Sequence, residues 1–274
     1  VNDAADARTP SEAIADVRVH MPTRGNRKLE RLVQAVNADD QVKAWWHVSA
    51  INATRRLGMS DHSWVHIQIV CNIALRLARL LFRRGVVPGM VADHAMSERD
   101  AEVVIAAAAL LHCVGMQIHR TDHEAYSLFL TADKLGELLR DVYDEPERSV
   151  VVAEAMHAII GHRSRGAAPF TLEAGIVRVA DALDMARGRS RVPFEAGQQN
   201  IHSLSAYAIE EIKISAGREK AVRVEIQMSN SAGIFQVDEL LATKLRGSRL
   251  EPHVEVIARI DAEHEQRLIP VFRI

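Results

Sequence analysis

The sequence predicts a mainly α protein: a helical bundle followed by a small C-terminal α+β unit with an antiparallel sheet and one helix. Three observations predict it. From about residue 58 to 190, apolar residues recur at three- and four-residue spacing, the period of helices with one buried face. Within that stretch, Val103 to Leu111 is a run of nine apolar residues with no polar side, as expected of a central bundle helix. After Pro193 the period changes to two. Val222, Val224, Ile226 and Met228 alternate with Arg223, Glu225 and Gln227, the pattern of a half-buried strand.

The elements follow in order. Residues 1–57 form a leading segment with a frayed start. Its residues 28–56 read as one or two short helices, with Leu29, Leu32, Val33 and Val36 at helical spacing. Trp45 and Trp46 are expected to pack it on the main body. The bundle occupies 58–192. Its first helix is expected from about Asp61 to Phe82, with Val70, Ile73, Leu77 and Leu81 as the buried stripe. The second runs from Ser97 to Leu111, with Ser97 and Asp100 as an N-terminal cap. A third spans Thr121 to Tyr143 with a break near Thr131, and a fourth spans Pro146 to Ile160. The last spans Thr171 to Arg187. Residues 193–274 make the α+β unit. Ile212 and Ile214 suggest a strand partner for 222–228, Val254 to Ile260 a third strand, and Leu268 to Ile274 an edge strand. A short helix, Asp238 to Leu245, lies between them.

Composition removes several classes. Apolar residues are 48% and charged residues 26% of the 274, with a net charge of −2. A disordered chain is poorer in apolar residues and more highly charged, and a duplex-DNA binder usually carries a basic face. The nine-residue apolar run falls short of the ~20 residues that span a bilayer, so no membrane partner is expected. No secretory signal opens the sequence, and two cysteines, Cys71 and Cys113, cannot form a disulfide framework. Both point to a reducing cytoplasm.

Histidine is the outlier. There are 13, and eight of them fall between residues 62 and 162. His66 lies on the apolar stripe of the first bundle helix. His112 ends the most apolar helix. Asp181 lies in GIVRVADALDM on the face of Val177 and Met185. Burying an ionisable group alone is costly. Three such groups on three facing helices therefore suggest a metal site of the kind built inside bundles. Two nitrogens and an oxygen suit several divalent ions, and spacing does not choose among them. His157 sits inside the apolar stretch AMHAII. Glu124 reads either as the end of a capping box with Thr121 or as a proton donor beside the metal. Asp184 is either a second site group or a solvated cap, and His62 is undecided. His119 and His162 fall in loops. Arg120, Arg163, Arg165, Arg187, Arg189 and Arg191 cluster in the connections. Arg120 and Arg163, next to site histidines, are the ones best placed to grip phosphate oxygens.

The order WVHIQIVCNIAL, then AAAALLHCVGMQIHRTDHE, then RVADALD resembles the HD-domain superfamily of metal-dependent phosphohydrolases over roughly residues 58–190. The resemblance implies an all-helical core holding one or two divalent ions (Mn, Fe, Mg, Zn or Ni), with His66, His112 and Asp181 as three of four core ligands. It implies a phosphate-ester or nucleotide substrate, and a second ion on His123, His157 and His162. His123 or Glu124 would handle a proton, and Arg120 or Arg163 the phosphate. The sequence departs from the pattern at one position: Cys113 stands where the family has its metal-bridging Asp. A thiolate can still bind metal but favours softer ions. Two other readings follow: a catalytically impaired nucleotide-binding or regulatory protein, with the α+β unit as a partner or homodimer surface, and, less favoured, a di-iron oxygenase.

Overall fold

The computed structural model describes residues 8–163, 168–186 and 201–260. The leading segment forms α1 (Pro10–Ile14), α2 (Arg27–Ala38) and α3 (Asp40–Ala50), the last running on into a π turn, Ile51–Arg56. The bundle contains α4 (Trp64–Arg83), α5 (Gly89–Ala92), α6 (Glu98–Leu111), α7 (His123–Leu138), α8 (Glu147–Gly161) and α9 (Leu172–Leu183). The C-terminal unit opens with a short helix, Ile201–Tyr207. Strands β1 (Ile209–Ala216), β2 (Val222–Met228) and β3 (Val254–Ile260) follow.

Helix α6 is the axis of the bundle, with α4, α8 and α9 packed around it. Every residue from Val103 to Leu111 is at most 1% exposed. Its start is fixed locally: Ser97 and Asp100 form a full capping box, satisfying two of the amide donors that a helix start leaves orphaned. Its end is fixed from outside. Trp46 Nε1 donates to the Leu110 carbonyl at 3.0 Å, and Asn52 Nδ2 donates to the carbonyls of Met116 and Gln117 at 2.9 and 3.0 Å. The leading segment thus supplies a donor to one of the last carbonyls of α6 and two more to the 3-10 turn that follows it, Val114–Gln117. By length and composition, Trp64–Arg83 and Glu98–Gln117 could cross a membrane. Their apolar windows are 61% and 89% buried within the fold, which makes them core helices.

Several expectations are corrected. Helix α4 starts at Trp64 rather than Asp61. Asp61 instead accepts from the Ser63 amide and hydroxyl, and Ser63 caps the helix. Helix α7 is unbroken at Thr131, whose hydroxyl donates to the Ser127 carbonyl at 2.7 Å and so stays compatible with helical backbone. Helix α9 ends at Leu183 rather than Arg187, because Asp184 leaves helical geometry at φ −80°, ψ 64°. The sheet is mixed rather than antiparallel: β1 pairs antiparallel to β2, but β2 pairs parallel to β3. The connection between β2 and β3 explains this. It holds a π turn, Gln236–Ala242, and a helical turn, Thr243–Leu245, and parallel neighbours need such a crossover. The expected edge strand Leu268 to Ile274 lies outside the described residues, as do Arg165, Arg187, Arg189 and Arg191.

Candidate metal centre

Three bundle helices bring three donor atoms together. His66 comes from the first turn of α4, His112 from the C-terminal end of α6 and Asp181 from the last turn of α9. His66 Nε2 and His112 Nε2 are 3.3 Å apart, and Asp181 Oδ1 lies 3.5 and 3.6 Å from them. The circle through these three atoms has a radius of about 2.0 Å, close to the ~2.0–2.2 Å of zinc–nitrogen and zinc–oxygen bonds. Both imidazoles are 1% exposed.

The outer ring nitrogens are tied down. His66 Nδ1 donates to Asp184 Oδ2 at 2.6 Å. His112 Nδ1 donates to the Ala109 carbonyl at 2.7 Å. With those N–H groups turned outward, the two Nε2 lone pairs face each other in the neutral tautomers. Such outer partners fix tautomer and ring direction for a metal ligand. Two lone pairs at that distance repel unless a cation lies between them. Electrostatics agree. Burial alone would push His112 down, but Cys113 and Asp181 outweigh it and raise its pKa to about 10. The centre therefore favours added positive charge, which a divalent ion can provide in place of a proton.

A second cluster adjoins the first. His162, at the C-terminal end of α8, donates Nδ1–H to the Ile159 carbonyl at 2.5 Å, and its ring meets that of His112 edge-on at 4.9 Å. Donor atoms of His112, His162 and Asp181 lie within 4.8 Å of one another, and so do those of His123, Glu124 and His162. His123 is pushed down to about 4 by burial, with Arg120 and His112 in the same direction and Glu124 opposing. Burial also holds His162 well below the ordinary histidine range, with the charge of His112 adding to it. Arg120 Nη1 donates to His123 Nδ1 at 3.0 Å, and Glu124 Oε2 is 3.3 Å from the same nitrogen. Cys113 is buried, and its sulfur lies within 4.8 Å of the nearest ring nitrogens of His66 and His112. The unexpected cysteine thus sits in the site itself.

Not every expected residue joins. His157 stacks on Phe170 with ring centroids 4.2 Å apart, and its Nε2 accepts from the Phe170 amide. It precedes His162 by five residues, which on a helix turns it about 140° away. Arg163 pairs with Asp122 on the exposed rim. His119 is exposed and accepts from the Thr121 amide. Thr121 and Glu124 form no capping box. Asp122 occupies the N-cap of α7 at φ 57° without a side-chain cap bond, which leaves Glu124 to His123. His62 is buried, its ring 5.3 Å from that of His66, with Nδ1 on the Ser60 carbonyl.

Two contacts of the candidate centre were weakly marked or unmarked in the sequence. Asp184 had two readings, and its carboxylate proves to be the buried partner of His66. Lys244 had none. It comes from the crossover of the C-terminal unit and forms a short ion pair with Asp181 Oδ2. Only the folded crossover reveals it, since nothing in the local pattern TKL marks a site residue.

No model of a known protein family matches the chain, and no solved structure matches it. The sequence is similar to the uncharacterized protein MJ1020 of Methanocaldococcus jannaschii. The two are 38% identical over 223 residues, which cover 81% of this chain and 86% of that protein. At that identity and coverage, the chain belongs to the same protein family as MJ1020.

Proposed function

We propose that the protein is an HD-type metal-dependent phosphohydrolase, acting on a nucleotide or another phosphate ester. The observation that carries this reading is the triangle of His66 Nε2, His112 Nε2 and Asp181 Oδ1, each imidazole aimed by an outer hydrogen bond. These three residues would hold a divalent ion, with Cys113 and His162 as further donors within reach. When bound, the ion supplies Lewis-acid chemistry: it polarises a phosphoryl oxygen and makes water a stronger acid. Burial keeps His123 neutral near pH 7. With Nδ1 accepting from Arg120, its proton sits on Nε2, which would donate a hydrogen bond to the substrate, while the adjacent Glu124 carboxylate would take a proton. Arg120 also offers a forked donor set for phosphate oxygens. Cys113 favours zinc or iron over magnesium at this centre.

The test uses the full chain freed of metal and reloaded in turn with Mn, Fe, Co, Ni, Zn and Mg. The substrate is bis-p-nitrophenyl phosphate. The expected result is metal-dependent release of p-nitrophenolate that His112→Ala abolishes. Cys113 supports the second reading, a nucleotide-binding module without turnover. That reading prevails if the chain and Cys113→Asp both stay inactive with all six ions while the wild type still binds nucleotide.

A further inference from the structure

The two oxygens of Asp181 face different partners. Oδ1 lies 3.5 and 3.6 Å from the Nε2 atoms of His66 and His112. Oδ2 is held by Lys244 Nζ, in an ion pair whose side chains are only 14% and 12% exposed. Lys244 does not belong to the helical bundle. It stands in the turn Thr243–Leu245, within the crossover between β2 and β3.

The crossover is clamped to α9 at that lysine and again four residues after it. Arg178, about one turn before Asp181, donates Nε–H to the Lys244 carbonyl at 3.0 Å. Gly175 lies so close to the crossover that an added Cβ would be 1.8 Å from the Ser248 carbonyl oxygen. The backbone of Lys244 is therefore fixed relative to the helix that carries Asp181. Its ammonium is delivered to one carboxylate oxygen and leaves the other facing the histidines.

We propose that Lys244 is a positioning residue of the metal centre, contributed by the C-terminal unit. Its ion pair occupies Oδ2 and keeps Asp181 a one-oxygen ligand through Oδ1. A carboxylate free to bind through both oxygens takes two coordination positions; one that is held binds through one and leaves a position for the reacting groups. This inference rests on the metal-centre reading above.

Cobalt tests it, because the visible absorption of Co(II) weakens as coordination number rises. The full chain, Lys244→Met and Lys244→Gln are each freed of metal and titrated with cobalt chloride. Methionine keeps an unbranched stem of similar length, and glutamine keeps a donor that reaches less far. The expected result is that both variants bind cobalt with visible absorption lower than wild type by a factor of about two or more, as Oδ2 joins the ion. A variant that folds and gives the wild-type spectrum overturns the role of Lys244. A wild-type chain that takes up no cobalt overturns the metal-centre reading itself, and this inference with it.

Discussion

At the scale of single residues, the candidate centre depends on groups outside its triangle of donor atoms. Asp184 is the clearest. Its carboxylate fixes the Nδ1–H of His66 at 2.6 Å and so decides which nitrogen of that ring faces His112 and Asp181. Removing such an outer partner typically lowers metal affinity by about 10–100-fold. Asp184→Ala is therefore expected to weaken zinc binding by about that factor in competition with a chromophoric chelator; unchanged affinity would mean that α4 packing alone aims His66. The residue scale also shows what the sequence could and could not reveal. His66 was legible because a polar residue on an apolar stripe stands out. His112 was legible because it ends an all-apolar helix. His157 met the same criterion and misled, because an apolar neighbourhood does not distinguish an imidazole aimed at a site from one stacked on Phe170. Lys244 was invisible because its partner is 63 residues away and only tertiary packing pairs them.

For α6, local chemistry sets where the helix begins, and a distant segment caps where it stops. The capping box of α6 was readable from Ser97 and Asp100 because both partners lie within one turn. Asp100 does more than cap. It accepts from Lys28 and Tyr143, each at 2.7 Å, and so joins the leading segment and the end of the α7 connection to the central helix. Burial alone would raise the pKa of Asp100, but hydrogen bonds from Lys28, Ser97 and Tyr143 outweigh burial and lower it. A carboxyl whose pKa is depressed in the folded state contributes stability above its unfolded pKa, about 3.9. That contribution is lost as pH falls through the folded value. Asp100→Asn is expected to cost about 1–3 kcal/mol at pH 7. The gap to wild type should close below about pH 4 in urea melts run across pH. A gap that stays constant with pH would assign the loss to packing instead. Other features at this scale were not legible in advance. Strand alternation identified β3 but not its direction, because a period of two reads the same in parallel and antiparallel pairs. Thr131 looked like a helix breaker, yet its hydroxyl found the Ser127 carbonyl.

Across the whole molecule, three parts converge on one point. The leading segment holds the end of α6 through Trp46 and the turn after it through Asn52. The bundle supplies His66, His112 and Asp181, and the C-terminal unit supplies Lys244. The change of period was legible in the sequence, and the described strands Ile209–Ala216, Val222–Met228 and Val254–Ile260 lie after it. The convergence of the three parts was not, since it depends on close approaches such as Gly175 to Ser248. An ion bound to ligands on α4, α6 and α9 must therefore report on the stability of the fold as a whole. A ligand that binds only the folded state stabilises it by about 2.7 kcal/mol when its free concentration is 100 times Kd. For a chain of this size, each kcal/mol raises Tm by about 2–4 °C. Zinc or manganese added to chelator-treated protein is thus expected to raise Tm by about 5–10 °C. His112→Ala should abolish the rise, whereas replacing an exposed histidine such as His20 should leave it intact. A rise that persists in His112→Ala would place the ion elsewhere on the molecule, and the absence of any rise would leave the lone pairs of His66 and His112 to be reconciled by a shared proton alone.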